Sequence, residues 1–463
     1  MSLPRYPEYK DSGVEWLGEV PGHWETWKVA HAFGSIGSGT TPPSSEEHWY
    51  DSVGTPWVTT GELRENIIFE TSKSVTDAAL EKFSALRIHP AGSLVVAMYG
   101  ATIGRLGILG VDAVTNQACC VLSSPRHLDI AFTYYWLQGF KQIIIDLFST
   151  GGGQPNINQD TVSSLRIPAP GLPEQTAIAT FLDRETAKID ALVAEQEKLI
   201  ALLQEKRQAV ISHAVTKGLD PNVPMKDSGV EWLGEVPGHW EIKSIRHILE
   251  AIGDVDHFMP ASVEKGVPYL MTGDLKEFAS EVDFDGCKQV SDDDYIRLSK
   301  RIKNSRGDVI MARYATIGTS MYVDIDIDFL VSYSCVTLKT HYSKMPGLYL
   351  FKYMKSIAFL QGIENKINAN TQGNVGIQDL QSTKIAVPPI HEQTAIATFL
   401  DRETSKLDTL TAEARSAITL LQERRTALIS AAVTGQIDVR GLVGGANAPD
   451  SIAASAYPTS AGA

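Results

Sequence analysis

Glu174 to Thr186 reads EQTAIATFLDRET, and the same stretch returns unchanged as Glu392 to Thr404, an offset of 218 residues. In both places it opens a long helical pattern. Pro173 stands at a helix start, where its missing N–H costs little, and Glu174 suits a first turn, which favours negative charge. No Pro or Gly follows until Gly218. Apolar residues then recur every seven positions along two tracks. One track holds Leu182, Ile189, Leu203 and Val210, the other Ile178, Leu192 and Leu199, with Glu185, Gln196 and Lys206 as polar interruptions. The second copy keeps this register with Leu400, Leu407, Leu421 and Leu428 beside Ile396 and Leu410. Two such tracks predict a coiled-coil seam. At 1.5 Å per residue the helix is ~65 Å long. A domain of roughly 140 residues cannot bury so long a stripe, so the expected partner is the matching helix of the other copy.

Working outward, Lys10 to Glu25 (KDSGVEWLGEVPGHWE) recurs unchanged at Lys226 to Glu241. The chain is therefore one unit written twice, which is the first thing to establish about a fold. Between the fixed blocks the copies diverge. Thr55 to Leu63 (TPWVTTGEL) is only echoed by Val267 to Leu275 (VPYLMTGDL), and Tyr99 to Gly104 (YGATIG) by Tyr314 to Gly318 (YATIG). A constant framework with variable contents suits a scaffold that presents two different readers. Connectivity then sets direction. The repeated block follows the first helix but precedes the first variable region, as if a ring had been cut there. Antiparallel helices would bring the end of the second helix back to the N-terminal block. The expected architecture is two α+β domains held apart by two long antiparallel coiled-coil helices, a pseudo-two-fold internal repeat.

Within the first variable region, Leu94 to Tyr99 and Ala118 to Leu122 read as buried strands and Ile130 to Phe148 as a helix. Asp308 to Ala312, Ser334 to Leu338 and Leu348 to Leu360 follow in the same order in the second. The expected boundaries are an N-terminal segment 1–25, variable domains 26–172 and 242–391, long helices 173–220 and 392–439, the repeated segment 221–241 and a disordered tail 440–463. The tail is nearly uncharged Gly, Ala, Ser and Pro.

Composition bounds the function. Hydrophobic residues at 43% and charged residues at 21% are globular values. The most apolar of the long uncharged windows, 88–104, is short of the ~20 apolar residues of a membrane span and is broken by Pro and Gly. Its N-terminus lacks a secretory h-region, and Cys119, Cys120, Cys287 and Cys335 form no CxxC pair. The chain reads as a soluble, reduced, cytoplasmic protein. Phosphate-loop, HExxH, zinc-spaced and GxSxG patterns are all missing. Phe33 to Thr41 (FGSIGSGTT) is glycine-rich and reads as a flexible loop, and His23 and His239 read as packing residues beside Trp24 and Trp240. No catalysis is assigned.

A net charge of −14 argues at first against nucleic acid, although a local patch can still carry a partner. Arg297, Lys300, Arg301, Lys303, Arg306 and Arg313 lie close together and could neutralise phosphates. The alternative is a solvated face balanced by Asp292, Asp293 and Asp294. Thr150 to Asn158 (TGGGQPNIN) and Asn368 to Asn374 (NANTQGN) are glycine loops carrying amides, which can bond adenine edges, though turn chemistry also explains them.

The layout resembles the DNA specificity subunits of type I restriction–modification systems. The likeness rests on Gly39-Thr40-Thr41-Pro42 with Pro56 to Leu63, on Gly100 to Gly104, on Gln154-Pro155-Asn156-Ile157, on Pro173-Glu174-Gln175 and on the block Trp16 to Trp24. The second copy departs from it, with Gly253-Asp254-Val255-Asp256 and Asn374-Val375-Gly376-Ile377 in place of GSGTTP and QPNI. The resemblance implies that each variable region is a target recognition domain reading half of a bipartite, asymmetric site in double-stranded DNA. The helices would space the readers and dock two methyltransferase subunits, with motor–nuclease subunits completing the complex. S-adenosylmethionine, ATP and Mg would sit on those partners and none on this chain. Expected DNA-facing residues are Thr40, Thr59, Thr60, Tyr99, Arg105, Gln154, Asn156 and Asn158 in the first domain. The second supplies the six basic residues above with Tyr314, Asn370, Gln372 and Asn374. The rival readings are a two-domain protein-binding scaffold and a stand-alone modification enzyme.

Overall fold

A computed structural model describes residues 4–149, 155–368 and 373–442 of the chain. They fall into two compact units, 1–196 with 416–463, and 197–415. Each unit holds one variable domain and one half of each long helix.

In the first unit the variable domain is built on a five-stranded sheet. Its strands are β1 (Phe33–Ser38), β3 (Asn66–Ile68), β4 (Leu94–Ala97), β5 (Leu106–Leu109) and β6 (Cys119–Pro125), in the order β1-β6-β4-β5-β3. A smaller sheet contains β2 (Thr55–Val58). Strands β4 and β5 are buried along their whole length, as continuous apolar runs without alternation require. Of the glycine-rich stretch read as a loop, residues 33–38 are the edge strand β1 and 39–41 remain loop. Just past the strand Gly39 allows close approach: a Cβ there would lie 1.6 Å from the Thr115 carbonyl. The helix Ile130–Phe148 covers the sheet and is capped by Asp129, whose carboxylate accepts the Phe132 N–H at 2.9 Å.

The second unit repeats this plan. Strands β7 (Leu249–Gly253), β9 (Val309–Ala312), β10 (Ser320–Tyr322) and β11 (Cys335–Thr340) form a sheet ordered β7-β11-β9-β10, and β8 (Val267–Leu270) belongs to a three-stranded sheet. Here the covering helix expected over 348–360 is two helices, Gly347–Met354 and Ile357–Glu364. Ser356 divides them, because its hydroxyl accepts the Phe359 N–H at 3.2 Å and so starts a new helix.

The long helices run Leu172–Lys217 and Ile390–Val433. They are antiparallel within each unit. In the first unit Arg425 Nε donates to Asp190 at 3.0 Å, and in the second Arg207 Nε donates to Asp408 at 3.0 Å. The track Leu182, Ile189, Leu203, Val210 faces inward, as does Leu400, Leu407, Leu421, Leu428. Ile178 and Ile396 are buried in the domain cores. The rest of the second track needs correction. Leu192, Leu199 and Leu410 are 45%, 42% and 46% exposed. The less exposed partners of the central track are Thr186, Val193, Ile200 and Arg207, one residue further on, with Thr404, Thr411, Ile418 and Arg425 at the same places in the second helix. One residue is 100° of helix, so the seam lies on the other flank of the central track.

Devices repeated in both copies join each domain to its helices. Gln175 donates to the His127 and Pro170 carbonyls, both at 2.8 Å, and accepts the Asp129 N–H at 2.7 Å. Gln393 donates to Lys344 and Pro388 in the same way, at 2.9 and 2.8 Å. Its Oε1 has no partner among the described residues, because Pro346 stands where Asp129 does and has no N–H. Tyr135 donates to Asp183 at 2.6 Å, and Lys352 takes its place opposite Asp401 at 2.7 Å.

The fixed blocks close both units alike. Trp240 is fully buried and donates to Glu392 at 3.0 Å, against the end of the first helix, where Gly218 turns the chain at φ +76°. In the first unit Trp24 donates to Glu174 at 3.4 Å, and Gly435 turns at φ +71°. Tyr9 donates to the Gly435 carbonyl at 2.9 Å, and the Asp438 N–H donates to Pro4 at 2.8 Å. The N-terminal block does dock where the second helix ends. The two histidines are half-exposed and bond Glu174 and Glu392, at 3.0 and 2.6 Å, rather than packing in a core.

Candidate nucleic-acid interface

Strands β1 and β4 both pair antiparallel with β6. Their C-terminal ends and the start of β6 therefore share one end of the sheet. The end of β2 joins them, since Asn116 N–H donates to Val58 at 3.0 Å while Gly39 N–H donates to Asn116 at 3.2 Å. Tyr99 and Asn156 form an isolated antiparallel bridge, and Ile157 N–H donates to Met98 at 2.9 Å. Sheet geometry thus brings Thr40, Thr59, Tyr99 and Asn156 together from four separate parts of the sequence.

Their side chains differ in availability. Tyr99 is 40% exposed. Thr40 is half-buried and its carbonyl accepts Trp57 Nε1 at 3.1 Å. The Thr59 hydroxyl is committed to Glu62, which also accepts the Thr59 N–H at 2.8 Å and Ser72 Oγ at 2.7 Å. Burial alone would push the Glu62 pKa up, but these donors outweigh it and hold the carboxyl below its ordinary range. Thr60 is half-buried beside this turn, and Arg105 is half-buried where β5 begins. Asn158 is a helix cap, its Oδ1 accepting the Thr161 N–H at 2.7 Å and the Thr161 hydroxyl at 3.0 Å, so that oxygen serves the fold. Gln154 lies outside the described residues.

The second unit assembles the same sheet end. Ser332 N–H donates to Leu270 at 2.8 Å, Tyr314 bridges Asn374, and Val375 N–H donates to Arg313 at 3.1 Å. Asn370 and Gln372 fall outside the described residues. The basic run does not form one face. Arg313 is 5% exposed, paired with Asp254, and donates to the Val375 and Tyr333 carbonyls at 3.2 Å each. It braces the bridge from within. Arg306 precedes β9 and Arg313 follows it, so they lie at opposite ends of that strand. Arg306 pairs with Asp326 at 3.2 Å and Lys303 with Asp328 at 2.9 Å. Arg297 pairs with Asp294 at 3.0 Å, and Arg301 reaches Asp254 and Asp256 at 3.2 and 3.1 Å. Lys300 is exposed and has no ionic partner among the described residues. Of the balancing acids expected, Asp294 takes part; the others come from distant loops. Sequence reading also missed Asn116, Gln117, Asp254 and Tyr333, which share these sheet ends. A polar pair directly before the apolar strand at Cys119 was the available signal for the first two.

The family model described as type I restriction modification DNA specificity domain matches residues 21–201 and 237–420. The chain belongs to this family. The two matched segments are the two copies read from the sequence. Among specificity-domain relatives, it is 21% identical over 431 residues to the type I restriction enzyme MjaVIII specificity subunit of Methanocaldococcus jannaschii, covering 91% of this chain and 95% of that one. To the EcoBI specificity subunit of Escherichia coli it is 20% identical over 333 residues, covering 70% and 69%. The fold is shared with a solved chain of a type I R-M system described for complex assembly and conformational transition, at TM-score 0.69 and 14% identity, covering 90% of this chain and 99% of that one. The HsdS subunit from Thermoanaerobacter tengcongensis matches at TM-score 0.52 and 14% identity, covering 90% and 98%. Among the described residues of this specificity-domain protein, no helix is long and apolar enough to cross a membrane.

Proposed function

We propose that the chain is the non-catalytic DNA-reading subunit of a type I restriction–modification complex in the cytoplasm, each sheet end reading one half of a bipartite, asymmetric duplex site. The observation that carries this is the paired bridge, Tyr99 with Asn156 and Tyr314 with Asn374, at the same sheet end of both domains. The frame is constant and the neighbouring side chains differ, as two readers with unlike targets require. Phosphate contacts position a reader and base contacts specify it. With most of the basic run already ion-paired, the chain supplies more of the second than the first.

Partner subunits then supply the electrostatic affinity, and the long helices offer them a surface. Leu192, Leu199 and Leu202 follow one another at helical spacing and are 45%, 42% and 51% exposed; Leu410 and Leu420, at the equivalent places, are 46% and 65% exposed. A stripe of that kind is uncommon on a surface that stays in water. We assign it to methyltransferase subunits, which carry S-adenosylmethionine; motor–nuclease subunits using ATP and Mg complete the assembly.

The test is genome-wide methylation mapping with and without this chain in cells that supply the partners. A bipartite motif that appears only with the chain supports the reading. Exchanging residues 26–172 for another reader should change one half of the motif and leave the other intact. Sequence-independent methylation would favour the protein-binding scaffold.

A further inference from the structure

After β7 the chain reads Asp254 to Pro260, DVDHFMP. Phe258 and Met259 are 42% and 43% exposed. The loop at the corresponding place in the first domain, Gly39 to Ser45, is GTTPPSS and carries no large apolar side chain beyond its prolines. The exposed pair is firmly mounted. Asp254 is buried and tied to both Arg313 and Arg301. His257 lies 3.5 Å from Asp254 and stacks on Tyr333 with centroids 4.9 Å apart. The Arg297 guanidinium sits 4.0 Å above the Phe258 ring. Through Arg313, the loop is joined to the Tyr314–Asn374 bridge.

We propose that Phe258 and Met259 are an apolar wedge that enters a base step of the half-site read by the second domain. Arg297, Lys300 and Arg301 would lie along the phosphates beside it. This rests on the DNA-reading function proposed above. A fixed apolar tip with one guanidinium over its ring and a second bound to the same loop matches a duplex, where apolar base faces lie a few ångströms from phosphates and DNA would compete with Asp294 and Asp256 for the two arginines. Side chains of this type unstack steps and bend DNA. The first domain lacks the device, so the two half-sites are read differently: the first on a regular duplex, the second partly through its deformability. Pyrimidine–purine steps open most readily, and one is expected at the wedge position.

The experiment uses the full chain assembled with its methyltransferase subunits and a duplex bearing the mapped motif. 2-Aminopurine replaces each adenine of the second half-site in turn. Wild-type complex should raise the fluorescence at one position other than the methylated adenine, which the methyltransferase extrudes whatever the loop does. In the Phe258→Ala/Met259→Ala variant the rise should vanish and affinity should fall about 10- to 100-fold, the scale of losing aromatic stacking on bases. Methylation of DNA altered only in the first half-site should respond as in wild type. Phe258→Leu, which keeps an apolar tip, should retain most of the affinity, and thermal unfolding of both variants should match wild type because the side chains are exposed. If the double variant binds and fluoresces like wild type, the wedge is wrong and the DNA-reading function stands. If it loses methyltransferase subunits instead, the loop is a protein contact and the wedge is equally wrong. If wild-type complex shows no sequence preference at all, both proposals fall together.

Discussion

Gln175 and Gln393 do the same work in the two copies, yet one backbone N–H separates their circumstances. Pro346→Asp restores the N–H that Gln393 lacks and supplies a cap like Asp129. A hydrogen bond and a cap bring ~1–2 kcal/mol together, against ~0.4–1 kcal/mol for freeing the unfolded chain from a proline. Denaturant unfolding should show a net gain of about 0.5–1 kcal/mol for the second unit; a loss would mean Gln393 Oε1 is not short of a donor. The turn glycines give a second comparison. Both Gly218→Ala and Gly435→Ala place a side chain at positive φ, which costs ~1–2 kcal/mol. A Cβ on Gly435 would also lie 2.3 Å from Pro21, against 3.3 Å from Trp240 for Gly218. Gly435→Ala should therefore be worse by a further ~1–3 kcal/mol of overpacking, measurable as a lower Tm. Residues are also where sequence reading reached least far. Asn158 and Arg313 are the right types in the right segments, but a helix cap and a buried ion pair claim them, and neither commitment leaves a mark on a one-dimensional pattern.

At the level of elements, periodicity located the starts of both long helices to within two residues, overran their ends by three and six, and identified the central track of their seam. It could not choose the flank. Leu192 and Leu199 lie on one side of that track and Val193 and Ile200 on the other, and all are apolar. The choice is made by contacts that only three dimensions supply: Thr186 near Tyr135, and Arg207 and Arg425 reaching across to Asp408 and Asp190. Adjacent residues of the first helix test it. Leu203 is 8% exposed and Leu202 51%. Leu203→Asp should destabilise the fold by ~3–5 kcal/mol, as an unpaired buried charge does, whereas Leu202→Asp should stay within ~0.5 kcal/mol. Leu202→Asp should nonetheless weaken association with methyltransferase subunits, measured by sedimentation or pull-down; unchanged association would remove the exposed stripe from the docking surface. The Glu62 turn adds a pH dependence. Its carboxyl is held below the ordinary range when folded, so its contribution is complete above the unfolded carboxylate pKa and disappears as pH falls through the folded one. Stability of the first unit should be insensitive to Glu62→Gln only in acid.

Across the whole molecule, the duplication and its closure were legible because repeated blocks are long and unchanged, while the bases each domain reads are not. In the proposed reading, readout depends on loop side chains such as Tyr99 and Phe258 and on how far DNA yields to them. Closure has a direct consequence for chain order. Pro4 and Asp438 are hydrogen-bonded, so a short linker from residue 442 to residue 4, with new ends opened at residues 220 and 221, should leave a folded protein. Methylation mapping should return the same motif from this permutant. A motif lost at both halves would show that the join between residues 4 and 438 does more than close the unit.

The seam carries the same positions on both of its sides: Thr186 and Thr404, Ile200 and Ile418, Arg207 and Arg425 are equivalents 218 residues apart. A half-length chain ending near residue 220 therefore carries the seam positions its missing half would have contributed, and can take a second copy of itself as the substitute. Such a twin would present one reader twice in opposite senses, turning an asymmetric target into a palindrome.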